Sequence, residues 1–437
     1  MNNFRVYDKF NDTPSTYMAK HTPKRIAFTF AGRRDMMRNQ VIWMRELLEA
    51  GVLDTWHVWD FTRNEDDRRW LEEEFCNDHF VTHTKPDSNN YVPFSFRGMD
   101  GAAIQVSSRS DVHLLFELEN GKKFEVAIGI ALNSVSLLRE FDGEYFEHAE
   151  PIKTSSVVLQ EKEKNSLTFD FEKKSFSVFC EGVAVFSNIP LKGSRVEKIS
   201  VKTGYGHKGV WEYNTNTSSK IKVISTNIDS DSSLVNFNSC YRYYTDRVYA
   251  HSTFLKIDDD LIDLDAKQLN AMLNYAESSD GMEIVSANVI NNDQCLYNQI
   301  KYGFFENSSL NLKADLMTMG PFFNTPDLCE KAHIYYLQNR EDFWNKARSI
   351  DEVTSVPKYD RLSINCIAFK YDILVLMNSF PELADKRGDE EIMTMMLPAF
   401  GVKKTIFNKC MASHLSFFTQ VPGWDQKEII EAYHKLY

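Results

Sequence analysis

No apolar run in this sequence approaches the ~20 residues that a membrane-spanning helix needs. The opening residues, Met1-Asn2-Asn3-Phe4-Arg5, lack the basic-then-apolar layout of a secretory signal. A cytoplasmic protein is therefore expected, with peripheral contact at the inner face of a membrane left open. The seven cysteines are scattered and form no CxxC pair, so neither a zinc ribbon nor a disulfide framework is indicated. Most of them are expected to be small buried hydrophobes in a reducing compartment. No exact internal repeat or low-complexity tract is present. Positive charge is in deficit. The formal net charge of −12 argues against nucleic acid or an anionic membrane surface as the main partner, because phosphate backbones are bound by a basic face. One bound nucleotide needs only a local site and is not excluded. At 43% hydrophobic and 26% charged the composition is that of a globular protein, and 437 residues exceed one ordinary core, so two or three domains are expected.

Residues 24–75 read as β-α-β. An apolar strand at 25–30 is followed by the turn Ala31-Gly32-Arg33-Arg34-Asp35, and Met37, Val41, Met44 and Leu48 then recur at the spacing of one helix face, with Gly51 just past it. A second strand at 56–61 leads through Thr62-Arg63-Asn64 into another helix. From about 92 to 226 two-residue alternation takes over, as in Val112-Leu114-Phe116-Leu118 and Phe124-Val126-Ile128. Turn signals such as Glu119-Asn120-Gly121-Lys122 and Glu172-Lys173-Lys174 separate the rows, and Thr215-Asn216-Thr217-Ser218-Ser219 reads as a surface loop. The α/β character returns after about 235, with strands at 249–257, 282–289 and 363–369 and helices at 266–275, 326–338, 340–348 and 389–397. The spacing thus predicts an α/β domain (residues 1–90 and 230–437) interrupted by an antiparallel β-sandwich (91–229).

Three features of the α/β part carry chemistry. The first is Asp258-Asp259-Asp260 after the apolar run Phe254-Leu255-Lys256-Ile257. Acidic residues are poor strand formers and rarely enter a core unpaired. The segment is either an acidic turn or a site where a hard cation such as Mg²⁺ or Mn²⁺ bridges carboxylates to a diphosphate. The second is Gly388-Asp389-Glu390-Glu391, acids at a helix start, which either complement the helix dipole or supply a general base. The third is His414, alone in an apolar stretch, either a core histidine or a metal ligand. Ala31-Gly32-Arg33, Phe61-Thr62-Arg63-Asn64 and the Asn288–Asn292 stretch (NVINN) each end a strand, where open α/β sheets bind ligands.

In this order, RIAFTFAGRR, HVWDFTRN, FLKIDDDLIDLD, SANVINN, GDEEIMTMMLP and SHLSFFTQ resemble a GT-A fold (Rossmann-like, mixed-sheet) nucleotide-sugar glycosyltransferase of the bacterial and large-virus surface-glycan type. The resemblance covers roughly 24–90 and 235–420. It implies a DxD element in which Asp258 and Asp259 lie on the nucleotide side and Asp260, with His414, holds Mn²⁺ or Mg²⁺. It implies Asp389 or Glu390 as the base of an inverting enzyme, Glu391 remaining open, and Ala31, Gly32, Arg33, Arg63 and Asn64 bordering the nucleotide sugar. A glycan or glycolipid acceptor follows, and the commonest donor class is a uridine-diphosphate sugar.

Phe94-Ser95-Phe96-Arg97, the stretch from Phe124 to Gly129, Asn133-Ser134-Val135-Ser136 and Gly209-Val210-Trp211-Glu212-Tyr213 resemble a sandwich domain labelled farnesoic acid O-methyltransferase, similar to sugar-binding jelly rolls. No glycine-rich loop for S-adenosylmethionine accompanies it. Trp211 and Tyr213 stack on a sugar ring or pack in the core. The leading expectation is a metal-dependent glycosyltransferase. The alternatives are a non-catalytic glycan-binding protein on a degenerate scaffold and a phosphohydrolase. The last is disfavoured because no aspartyl-phosphate DxDx[TV] strand end or histidine cluster accompanies the acids.

Overall fold

The computed structural model describes residues 24–84, 91–94, 103–141, 151–160, 164–171, 175–191, 195–204, 207–213, 219–226, 233–279, 281–305, 322–380, 386–417 and 419–437. The N-terminal pentapeptide, 95–97, 172–174 and 215–218, all read above, lie outside them.

In chain order the strands are β1 (Arg25–Ala31), β2 (Thr55–Asp60), β3 (His79–Thr84), β4 (Val92–Phe94), β5 (Ala103–Ser108), β6 (Val112–Leu118), β7 (Lys123–Gly129), β8 (Val135–Phe141), β9 (Pro151–Ser155), β10 (Asn165–Phe171) and β11 (Ser175–Cys180). They continue as β12 (Val183–Pro190), β13 (Val196–Thr203), β14 (Gly209–Tyr213), β15 (Ile221–Thr226), β16 (Thr253–Ile257), β17 (Leu261–Leu264), β18 (Glu283–Ile290), β19 (Val353–Val356), β20 (Cys366–Lys370) and β21 (Lys403–His414). The described residues are mixed α/β and form two sheets. One runs β12-β11-β10-β5-β14-β3-β15-β2-β1-β16-β20-β18-β21-β17, with β19 on β21, and the other runs β4-β13-β6-β7-β8-β9.

In the α/β half, β3, β15, β2, β1 and β16 are parallel neighbours. β20 runs against β16 and β18, and β21 runs with β18. β1 is buried along nearly its whole length, as a strand covered on both faces must be. Ala27 and Ala31 face one core, while Ile26, Phe28 and Phe30 face the other. The helix Arg34–Glu49 buries Met37, Val41, Met44 and Leu48, the predicted face. Gly51 follows it with φ +70°, a conformation that costs glycine little.

The six-stranded sheet packs on the antiparallel end of the large one. Phe116 lies 4.8 Å from Phe176 and 5.7 Å from Phe169 across the sandwich interior. One sheet of the sandwich is therefore continuous with the α/β sheet, through β14 paired antiparallel to β3. Here the structure departs from the predicted boundary, because β15, placed by alternation in the insert, is a parallel strand between β2 and β3. Its first residues alternate, with Ile221 and Val223 buried and Lys222 half-buried between them, and so mimic an antiparallel strand. The stretch read as a helix over 389–397 is one α-turn, Asp389–Glu391, widening into a π-helical segment, Ile392–Met396, and a 3₁₀ turn.

The buried histidines on β2 and β3 set an acid limit on this fold. The Tyr244 hydroxyl accepts from the Trp59 indole N–H (2.8 Å) and lies 3.0 Å from His57 Nδ1. Burial, reinforced by Lys222, pushes His57 down to about 3, and burial brings His83 down to about 4. The unfolded chain takes up these protons first, so stability is lost as pH falls from about 6.5 toward 4. The expected loss from His57 alone is roughly 3 kcal/mol by pH 4. Thermal unfolding from pH 8 to 4 should show this limb, and His57→Gln should make it shallower.

Candidate functional site

The topology gathers the candidate residues on one edge. β1, β2, β16, β18 and β21 share a direction, so Gly32, Thr62, Asp258, Asn291 and His414 all lie at or just beyond carboxyl ends. β20 runs the other way, so the segment 357–365 before it reaches the same edge. This is where an open α/β sheet leaves strand-end backbone groups and side chains for a ligand.

The three aspartates form the turn from β16 to β17, with the Leu261 N–H donating to the Asp258 carbonyl at 3.2 Å. Asp259 faces back toward β1. Its Oδ2 accepts from the Gly32 N–H (3.0 Å) and Arg33 Nε (3.2 Å), and its Oδ1 meets Arg33 Nη2 at 2.5 Å. The same Nη2 lies 2.9 Å from Asp260 Oδ2. Asp260 Oδ1 faces His414 Nε2 at 3.2 Å. Asp258 is held by Lys256 Nζ and by Asn365 Nδ2 at 3.1 Å.

Asp258, Asp260 and His414 each offer a ligand atom, and these atoms all lie within 4.8 Å of one another. Two carboxylates and an imidazole suit a divalent cation of the Mn²⁺ or Mg²⁺ kind. The His414 Nδ1 is buried with no hydrogen-bond partner among the described residues. Burial opposes ionisation of Asp260, but His414 and Arg33 outweigh it and hold the carboxyl far below the usual range. Burial also pulls His414 down, yet the facing Asp260, with Asp258 behind it, leaves it raised. Asp258 goes the other way, raised by burial and by Asp260 despite Lys256.

A second acidic wall stands nearby. The Lys256 ammonium, buried in β16, feels the field of Asp389 and Glu390 as well as that of Asp258. Asp389 Oδ2 accepts from the Tyr241 hydroxyl (2.9 Å), and Oδ1 accepts from the Glu390 N–H (3.0 Å). Glu390 Oε1 pairs with Arg361 Nε. Burial first, and Asp389 after it, raise Glu390 against the pull of Arg361. Lys404, buried below, donates to the Thr394 carbonyl (2.8 Å) and to that of Asp360, pinning the π-helical turn to the 357–365 segment. Burial lowers its pKa to about 8.

The asparagines ending β18 lock both sides of the acid cluster. Asn291, with φ +61°, donates from Nδ2 to the Leu415 carbonyl at 3.1 Å and that of His414 at 3.3 Å. Asn292 Nδ2 donates to Asn365 Oδ1 (3.1 Å), and Asn365 in turn reaches Asp258. Behind His414, Ser413 and the Leu415 carbonyl are tied to His333 and Tyr433.

The structure thus brings Gly32, Arg33, Asp258, Asp259, Asp260, His414, Asp389 and Glu390 into one region. Ala31 is a buried strand end whose carbonyl accepts from the Phe61 N–H at 2.8 Å. Arg63 is exposed at the neighbouring edge, and Asn64 caps the helix Glu65–Glu74 by accepting from the Asp67 N–H. Asp259, expected on the nucleotide side, is engaged with Gly32 and Arg33. Trp211 is fully buried, 6.4 Å from Phe94, and Tyr213 is 7% exposed between Phe80 and Phe94, so neither ring presents a stacking face. Sequence reasoning passed over Lys256, Asn365, Tyr241 and Arg361 as site residues. Lys256 had a signal, a lone lysine inside an apolar strand before three acids, whereas the other three meet the site only through tertiary contacts.

A cavity of about 790 Å³ opens at the opposite edge, bordered by Arg25, Thr253 and Lys370. Arg25 there is occupied by Glu277, Asn270 and Asn274, and the candidate chemistry lies elsewhere.

No protein-family model matches the chain, and no curated protein matches it. Among solved structures, the galectin LEC-6 of Caenorhabditis elegans is similar at 15% identity and a TM-score of 0.23, over 32% of this chain and 96% of that one. Human galectin-16 follows at 12% and 0.21, over 29% and 95%. The carbohydrate-binding module CBM66 from Bacillus subtilis is similar at 10% and 0.20, over 26% and 76%. Likenesses this low carry no argument about the chain's activity. No helix among the described residues is long and apolar enough to cross a membrane.

A Cβ on Gly32 would lie 3.3 Å from both Asp259 Oδ2 and the Phe61 carbonyl oxygen. Gly32→Ala should therefore force the β1 and β16 turns apart and destabilise the protein by about 1 kcal/mol or more, read as a fall in unfolding midpoint.

Proposed function

We propose that the chain is a metal-dependent, inverting glycosyltransferase of the GT-A type, moving a sugar from a nucleoside diphosphate to a glycan or glycolipid acceptor. The observation that carries this reading is the Asp258, Asp260 and His414 cluster at the carboxyl edge of the parallel strands, with a second acidic wall beside it. Asp258, Asp260 and His414 would hold Mn²⁺ or Mg²⁺, and the positive charge supplied there would offset the charge that develops on the departing diphosphate. Arg33, with 42% of its side chain exposed, keeps an outer edge available to that diphosphate while its inner edge holds Asp259 and Asp260.

Glu390 is the better base of the acidic pair. Both oxygens of Asp389 already accept hydrogen bonds, whereas Glu390 keeps Oε2 outside its contact with Arg361. Its raised pKa also moves it toward the range in which a carboxylate takes a proton well. The acceptor hydroxyl gives its proton to Glu390 as its oxygen attacks the anomeric carbon. The bond from that carbon to the diphosphate oxygen breaks on the opposite face, and the single displacement inverts the centre.

One observation favours a second reading, a non-catalytic glycan-binding protein. Arg33 and His414 already offset Asp259 and Asp260, so the acidic turn is electrostatically stable without an ion.

A thermal-shift panel of uridine, guanosine and thymidine diphosphates, each with and without Mn²⁺, separates the two. A ligand at 100 times its Kd stabilises the native state by about 2.7 kcal/mol. The expected result is a Mn²⁺-dependent rise with one base, abolished in Asp260→Asn. Glu390→Gln should keep that rise and lose roughly 10²–10⁴-fold in transfer. No rise with any diphosphate would leave the glycan-binding reading.

A further inference from the structure

The six-stranded sheet has two unlike faces. Leu114, Phe116, Val126, Ile128, Leu138, Ile199 and Val201 point into the sandwich core. Alternate residues face outward, and there the sheet carries charge. The pairings Glu125↔Arg139, His113↔Ala127 and Lys202↔His113 place Glu125, Arg139, His113 and Lys202 on that one face, across four adjacent strands.

Three donors converge on Glu125, which is 1% exposed. They are the Tyr91 hydroxyl at 2.5 Å, His113 Nδ1 at 2.9 Å and Arg139 Nη1 at 2.8 Å. His113 Nε2 continues to Asp111 Oδ2 at 2.7 Å, and Lys202 lies 4.7 Å over the Tyr91 ring. Arg139 Nε is buried with no hydrogen-bond partner among the described residues. Burial opposes ionisation of Glu125, but its donors, His113 first, bring it down to about 2. Burial lowers His113, and Asp111 and Glu125 more than restore it.

A buried ion network of this kind holds a sandwich together no better than apolar residues of the same volume. Its distinguishing property is a rigid bank of alternating donors and acceptors. An anionic ligand would meet Asp111 and Glu125, and a cationic one would meet Arg139 and Lys202. A neutral ring rich in hydroxyls can give and accept at once, and it finds side chains already fixed in place.

We propose that this outer face is a saccharide-binding surface, with Arg139, His113 and Asp111 as contacts and Glu125 as the buried post that orients them. The side chains of Asp111, His113 and Arg139 are 24%, 12% and 25% exposed, so they are reachable from solvent, while that of Glu125, at 2%, is not. The inference rests on the sandwich recognising glycan, as acceptor or as sole ligand, and not on catalysis.

The test is a glycan array with neutral galactosyl, glucosyl, mannosyl and N-acetylglucosaminyl termini beside sialylated ones, probed with the full chain. Arg139→Lys keeps the charge opposite Glu125 but loses the planar fork, and a Glu125→Gln/Arg139→Gln double variant removes the ion pair as a unit. Both should weaken binding of a neutral glycan roughly tenfold or more, while keeping the wild-type unfolding midpoint within a few degrees and the wild-type response to nucleoside diphosphates. Wild-type-strength binding by both variants overturns the assignment to this face and leaves glycan recognition standing. Binding confined to sialylated glycans overturns the neutral ligand. Binding to none of them by the wild-type chain overturns glycan recognition and this inference together.

Discussion

Three consecutive aspartates at the end of a buried strand repel one another, and the carboxyl edge of this molecule is organised around what offsets them. Arg33 lies between Asp259 and Asp260, Lys256 reaches Asp258 from beneath, and His414 faces Asp260 from β21. Each cation comes from a different strand or strand end, so the acidic turn joins β1, β16 and β21. Removing the charge on one side would leave the other buried and unpaired, which costs far more than the pair contributes. The site and the sheet edge are therefore stabilised by the same contacts.

The layers behind that edge are polar but fully engaged. Asn291 and Asn292 hold the backbone of β21 and the side chain of Asn365, and His333 and Tyr433 hold the far side of the 413–415 segment. Such networks fix geometry at little net gain in stability. They suit a site whose donor atoms must stand a few ångströms apart. The acidic wall at Asp389 and Glu390 is built differently. It sits on one helical turn before a π-helical segment, a local widening often found at functional sites.

Much of the α/β half was legible because periodicity reports burial directly. The 4-3-4 spacing from Met37 to Leu48 and the apolar runs of β1 and β16 show which faces pack. The shared strand direction then places Gly32 and Asp258 at one edge with no knowledge of side-chain contacts. What stayed hidden depends on tertiary pairing. β17 and the long β21 have no clean alternation because both faces are covered, and β15 looks antiparallel until its neighbours are known. Asp259 could not be assigned from alternation, since residues in a turn escape the rule that sends neighbouring side chains to opposite faces. Trp211 and Tyr213 mark the opposite limit. An aromatic alternating with polar residues reads the same whether it faces a core or a ligand.

The pairing of β15 between β2 and β3 also constrains the order in which the chain can fold. Ile221 registers with Trp56, and the chain between them includes the strands β3 to β14. Closing so long a loop is entropically costly unless something shortens it first. The hairpins β6–β7, β7–β8 and β10–β11 are local and can form early, drawing the ends of that loop together. A sandwich formed first would shorten the loop that the pairing of β15 must close, lowering the entropic cost of completing the parallel sheet.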